Sequence, residues 1–195
     1  MSGVAGPRIT TIGCSTSIDG LTTEIGDYLE GTDTFLSPIN GLNSYSWSAN
    51  IYKASEISSS RQITGIEYNI DEDSKFFNNQ IIKLAHIAED RFSGSISIDL
   101  NELTISDEKT VFSGSFLLSQ YGWNDIDFDE NFCYNGTDNL VIIHENRHGF
   151  DDVSPPKFEY DSTTYDTTIY ASDNSAFPTS IDSRSTSRAV IKLKH

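Results

Sequence analysis

The run His144-Glu145-Asn146-Arg147-His148 spells H-E-x-x-H. In zinc proteases this pattern lets one helix bring two imidazoles to a metal, with the glutamate as general base. That chemistry depends on the helix. Asp138 could cap one and Gly149 could end it. The residues just before, Leu140-Val141-Ile142-Ile143, are a continuous branched run after a turn, which reads as strand. On a strand the two histidines stand roughly 13 Å apart, too far for one zinc. Arg147 adds a cation beside the would-be metal, and the third-ligand candidates His86, Glu159 and His195 have no supporting spacing. The zinc protease reading through His144, Glu145 and His148 is therefore a remote alternative, and no catalytic residue is assigned.

Calcium is the second candidate. Asp125, Asp127 and Asp129, followed by Glu130, imitate the start of a D-x-D-x-D loop. The glycine needed at the sharp turn is missing, and Gly136 stands where the closing glutamate belongs. With Ile126 and Phe128 between them, the aspartates read as the wet face of a strand. A looser site from Asp151, Asp152, Glu159 and Asp161 is the other calcium option; any calcium is expected to be structural. Paired carboxylates for glycoside cleavage cannot be picked from so many acids. There is no Gly-x-Ser-x-Gly elbow and no phosphate loop. Cys133 with His144 downstream reads as a buried small hydrophobe rather than a nucleophile. Among the aromatics Tyr45, Trp47, Tyr52, Tyr121, Trp123, Tyr165 and Tyr170, the possible glycan contacts are Tyr45, Trp47 and Trp123. Stacking requires them on one loop face, and the two tryptophans also suit a core.

The elements that must hold these residues lie between Trp123 and Gly149. Ile126, Phe128 and Phe132 share one parity and the aspartates the other, the alternation of a half-buried strand. Tyr134-Asn135-Gly136-Thr137-Asp138 is rich in turn formers, and Leu140 to Ile143 suits a strand covered on both faces. The expected unit is a buried β-hairpin at the centre of a sandwich. Elsewhere Tyr45, Trp47 and Ala49 share a face, as do Ile66, Tyr68 and Ile70; Ile96, Ile98 and Leu100; and Phe112, Gly114, Phe116 and Leu118. Ile9–Gly13, Lys157–Tyr160 and Thr167–Ala171 also read as strands. Gln80–Ala88 fits strand or helix. Thr23–Leu29 carries a helical hint, and Ala54–Ile57 reads as a single helical turn. Ser172–Ser187 reads as a long polar loop. In the last strand Ala189, Ile191 and Leu193 are placed inward and Arg188 and Lys192 outward. The fold class is all-β, an antiparallel jelly-roll-like sandwich of about eight to ten short strands. One domain spans 9–195, after an N-terminal arm at 1–8 and with a loop insertion near 19–36.

The 195 residues carry 13 basic and 29 acidic side chains, a net charge of −16. Such a surface repels phosphate backbones and anionic lipids, which argues against nucleic-acid partners. With 11 Phe, 9 Tyr and 2 Trp, the chain has enough large side chains for a core. Cys14 and Cys133 could pair, but two cysteines are few for a disulfide scaffold, and buried free thiols are expected. The opening MSGVAGPRITTIG lacks the pattern of an export signal. No run suits membrane insertion. A protein kept in the cytosol, or released without a signal as a virion is by lysis, is expected.

Several segments together resemble one family. They are Ile12-Gly13-Cys14-Ser15-Thr16, Pro38-Ile39-Asn40-Gly41, Ile51-Tyr52-Lys53-Ala54-Ser55-Glu56-Ile57, Ile63-Thr64-Gly65-Ile66, Val111-Phe112-Ser113-Gly114, and Phe132-Cys133-Tyr134-Asn135-Gly136-Thr137-Asp138-Asn139-Leu140-Val141, with Arg188 before the last strand. The family is a β-sandwich module of surface and secreted proteins of gliding Bacteroidota-type bacteria. The resemblance implies a jelly-roll-like sandwich with no catalytic residues. Standing alone, the chain looks like a phage virion version of that module. The expected function is a non-enzymatic structural virion protein (capsid decoration, appendage or tail component) made in the host cytoplasm. It would act by packing with other virion proteins, as a homo-oligomer, through residues 1–8 and 19–36. The alternative is a carbohydrate-binding or adhesive module for a host-surface glycan, at the cell surface or outside the cell. No cofactor is expected apart from calcium.

Overall fold

The computed structural model describes residues 14, 20–27, 37–71, 74–93, 108–152 and 154–195. The expected arm at 1–8, the strand at Ile9–Gly13, the strand of Ile96, Ile98 and Leu100, and most of the 19–36 insertion lie outside them. Among the described residues there are twelve strands and one helical turn: β1 (Thr22–Ile25), β2 (Tyr45–Tyr52), α1 (Ala54–Ile57), β3 (Arg61–Ile70), β4 (Lys75–Ile87), β5 (Lys109–Leu118), β6 (Gly122–Tyr134), β7 (Asn139–Asn146), β8 (Tyr160–Ser162), β9 (Thr168–Asp173), β10 (Ser183–Ser185), β11 (Ser187–Ala189) and β12 (Ile191–Lys194). The fold is an antiparallel β-sandwich. A four-stranded sheet, β1-β12-β3-β6, faces a six-stranded sheet, β10-β9-β2-β7-β4-β5, with β8 and β11 as a separate pair.

The alternation read from the sequence sets the layers. Ile66, Tyr68 and Ile70 of β3, Ile126 and Phe132 of β6, and Ile191 and Leu193 of β12 point inward. They meet Leu84, Phe116, Leu118, Leu140 and Ile142 from the other sheet. Trp47, Ala49, Ile51, Val141, Ile143, Ile169 and Ala171 form a second apolar cluster, with Phe92 and with Phe177 and Ile181 packed against it. Strands β2 and β7 contribute to both clusters, so Leu140–Ile143 is covered on both faces, as its branched run predicts.

Several expectations are corrected. The segments β6 and β7 are not a hairpin: β6 pairs with β3, and β7 lies between β2 and β4 in the other sheet. The turn between them crosses from sheet to sheet. Asn135 Oδ1 accepts the backbone N–H groups of Thr137 and Asp138, and the Tyr134 hydroxyl donates to the Asp138 carbonyl. A Cβ on Gly136, at φ +79, would lie 2.3 Å from the Ser60 nitrogen, so backbone packs directly on backbone. Turn chemistry was legible, but which strand each arm would pair with was not. The helical hint at Thr23–Leu29 is overturned: Thr22–Ile25 is an edge strand on β12. Gln80–Ile87 is strand. The last strand is two, β11 and β12, broken at Val190, and the Ser172–Ser187 stretch contains β10 paired with β9.

The expectation of free thiols is also overturned. Cys14 and Cys133 form a disulfide with Cα atoms 5.5 Å apart, closing 119 residues of sequence separation. Cys133 follows inward-facing Phe132 and so faces out of β6, where Cys14 can reach it. Reduction, or Cys133→Ser, is expected to destabilise the fold by about 4–5 kcal/mol, the chain-entropy value for a loop this long. The measurement is a urea midpoint with and without dithiothreitol; an unchanged midpoint would contradict the bond.

Candidate functional site

The H-E-x-x-H residues lie on and just beyond an extended strand, and they diverge. His144 is buried in the inter-sheet core, its ring 6.0 Å from Tyr68 and 5.8 Å from Phe116. Burial pushes its pKa down to about 3, so it is neutral. Glu145 is on the other face of the sheet, paired with Lys83 at 2.9 Å and Arg147 at 2.8 Å. The Arg147 guanidinium lies 3.6 Å from the centre of the Phe177 ring. His148 accepts the Asn78 backbone N–H at 2.9 Å, with Phe77 and Phe150 beside its ring. The zinc geometry is thus replaced by one core histidine, one ion-paired glutamate and one histidine near the surface.

The aspartate run lies on the outer face of β6, exposed as the alternation predicts. Lys194 bridges Asp125 at 3.4 Å and Asp127 at 2.6 Å, filling the space between the two carboxylates. Asp129 points to the neighbouring edge strand and accepts the Ser113 N–H. The three do not converge. The looser acidic set is also dispersed: Asp152 pairs with Lys75, Asp161 with Arg188, and Glu159 accepts from Asn69. Among the described residues no group of three His, Cys, Asp or Glu is placed to hold a metal.

The proposed aromatic contacts separate as well. Trp47 is 1% exposed and its indole N–H donates to the Pro178 carbonyl, so its faces belong to the core. Tyr45 is half-buried at the start of β2 in the six-stranded sheet. Trp123 is half-buried on the outer face of β6, in the four-stranded sheet. Trp123 borders a concavity. An open groove of about 300 Å³ is lined by Glu67, Leu117, Ser119, Gln120, Trp123, Asn124 and Asp125.

The corner between β5 and β6 builds this groove. Asn124 organises it: Oδ1 accepts the N–H groups of Ser119 and Gln120, and Nδ2 donates to the carbonyls of Gln120 and Gly122. Gln120 Nε2 donates to the Trp123 carbonyl, and Lys192 places its ammonium 3.9 Å from the centre of the indole. Glu67 and Asp125 are cross-strand partners. Burial and then Asp125 raise the Glu67 carboxyl above its usual range, against the pull of Lys192 and Lys194. Sequence reading found Trp123 and Asp125 but missed Glu67, Gln120 and Asn124. The one available signal was the polar Ser119-Gln120 step between two alternating runs.

Arg188 is the other surprise. Placed outward by alternation, it is 2% exposed. Its guanidinium forks onto both oxygens of Glu56 and also reaches Asp161 at 3.0 Å and the Ile51 carbonyl at 3.0 Å. The Glu56 carboxylate meanwhile accepts the Lys53 N–H, tying α1 to β11 and β8. Burial pushes the Glu56 carboxyl up, but Arg188 and the Lys53 N–H outweigh it and hold it below its usual range.

No known protein family matches the sequence, and no curated protein matches it. The likeness to surface modules of gliding bacteria therefore gains no family assignment. Among solved structures the chain is similar to the cysteine protease and lectin-like domains of Cwp84, a surface layer associated protein of Clostridium difficile. The identity is 9% and the TM-score 0.42, over 77% of this chain and 31% of that one.

Two stability tests follow from the buried ionisable groups. Arg188→Met strands two carboxylates and is expected to cost about 3–5 kcal/mol by urea denaturation. A histidine whose folded pKa is lowered refuses a proton that the unfolded chain accepts. Stability is therefore complete above the unfolded value of about 6.5. From there down to about 3, His144 removes about 1.4 kcal/mol per pH unit. Glu56 adds to the acid loss once pH falls toward its depressed folded pKa. Urea midpoints from pH 7 to 4 should fall steadily, and less steeply in His144→Phe; equal slopes would refute the assignment.

Proposed function

We propose that this chain is a non-catalytic recognition module acting outside the reducing cytosol, and that the β5–β6 corner groove seats a neutral glycan. The groove carries the reading. Lys192 lies over one face of the Trp123 indole, and the part of the ring that lines the groove is left for the C–H face of a sugar. Gln120 and Asp125 supply amide and carboxylate groups for hydroxyls, and Glu67 limits the space. The net charge of −16 and the two groove carboxylates disfavour anionic sugars and phosphates. Glu67 and Asp125 stand opposite each other on adjacent strands, and burial, helped by the Asp125 charge, raises the Glu67 carboxyl. The Cys14–Cys133 disulfide supports maturation in an oxidising compartment.

One observation favours the packing alternative, a structural virion subunit. Phe76 and Leu117 are cross-strand partners on β4 and β5, 56% and 49% exposed, and Tyr121 and Phe150 are exposed as well. Apolar pairs of this kind suit a protein–protein contact.

Binding of the purified, oxidised chain to an array of neutral oligosaccharides separates the two readings. A monomer that binds, with Trp123→Ala weakening binding at least about tenfold (about 1.4 kcal/mol) while the fold persists, is expected. A chain that binds no glycan and instead sediments as a defined oligomer, dissociated by Phe76→Asp, would overturn the glycan reading in favour of packing.

A further inference from the structure

The inner face of the six-stranded sheet is polar at one end. Gln80 and Ser46 stand opposite Asn146, and Ser48 stands opposite His144. All five side chains are buried. Their hydrogen bonds fix which atom is which. Gln80 Nε2 donates to the Asn78 carbonyl at 2.7 Å and to Asn146 Oδ1 at 2.7 Å, so both amide hydrogens are used. Gln80 Oε1 therefore faces His144 Nε2, at 3.3 Å, and that nitrogen must carry the hydrogen. In a neutral imidazole this leaves Nδ1 a bare acceptor. Asn146 Oδ1 receives both the Gln80 amide and the His148 backbone N–H, so Asn146 Nδ2 is fixed as a donor.

These two atoms, His144 Nδ1 and Asn146 Nδ2, are buried without a hydrogen-bond partner. Buried polar groups are rarely left so. The residues are two apart on one strand face, so their backbones are separated by roughly 6.8 Å. Two bonds of about 2.9 Å reach about 5.8 Å at most, so a single molecule bridging the two atoms requires these neighbouring side chains to lean toward each other. The roles decide its identity. A metal ion would meet the hydrogens of the Asn146 amide, and an anion would meet the lone pair of Nδ1. Only a species that both accepts and donates satisfies the pair, and the Ser46 and Ser48 hydroxyls add polar neighbours on the same face.

We propose that a single water molecule is bound inside the sandwich between His144 Nδ1 and Asn146 Nδ2, making the first histidine of the H-E-x-x-H run a hydration site rather than a metal ligand. The bound water fixes the imidazole tautomer and completes a chain running Asn78–Gln80–Asn146–water–His144.

A high-resolution crystal structure and nitrogen-15 NMR of the intact protein test this. Expected are one ordered water within hydrogen-bond distance of both atoms, a His144 ring protonated at Nε2 alone, and a long-lived water contact from the Asn146 amide hydrogens. That contact should vanish in His144→Phe; should this variant not fold, the wild-type readings decide alone. A dry gap, a ring protonated at Nδ1, or His144 resonances that move when zinc is added would each overturn the proposal.

Discussion

The chain has to leave one sheet and enter the other within the few residues between Tyr134 and Asn139, and both cores depend on that crossing. If the turn closed a hairpin, β7 would pair with β6 and vacate the place between β2 and β4. The six-stranded sheet would then lose the strand that carries Leu140 and Ile142 into one core and Val141 and Ile143 into the other. The crossing is secured from several sides. Asn135 folds the turn on itself, and its N–H donates to His86 Nε2 on β4. Asn139 receives the Ala54 N–H at the start of α1, and Gly136 lets the Ser59–Ser60 backbone pass in contact. The turn is thus defined by contacts with three separate segments.

The excess of acid shapes how the cations are used. Several basic side chains are set between two carboxylates rather than beside one: Lys194 between Asp125 and Asp127, Lys83 between Glu108 and Glu145, Arg188 between Glu56 and Asp161. On the outer face of the four-stranded sheet these pairs are solvated and each contributes little. Lys194 still separates like charges that stand two residues apart on the same face of β6. Arg188 differs because it is buried and forked onto Glu56, where planar guanidinium geometry matters and a lysine could not substitute.

The polar end of the inner face contrasts with the aliphatic remainder of the same core. A histidine and two amides there require every donor and acceptor to be matched, and such a cluster constrains strand register more tightly than apolar packing does. Slipping β7 by one residue against β4 would turn His144 and Asn146 out and bring Glu145 into the apolar core. Lys83 and Arg147 hold Glu145 on the opposite face and oppose that slip.

Alternating side chains made most strands and their inward faces legible, because the period of two belongs to the backbone and needs no partner. Ile66, Tyr68 and Ile70 and the wet aspartates of β6 were readable in this way, while the doubly covered Leu140–Ile143 showed as a continuous branched run and Ala54–Ile57 as a single helical turn. Pairing was not, since alternation says which way a residue faces and nothing about which strand lies alongside. The supposed hairpin therefore became a crossing between sheets. The Cys14–Cys133 bond, the inward Arg188 and the convergence of Glu67, Gln120 and Asn124 on Trp123 share one cause. Each joins residues distant in sequence or turns a side chain against its strand's pattern, and only the packed sheets bring the partners within reach.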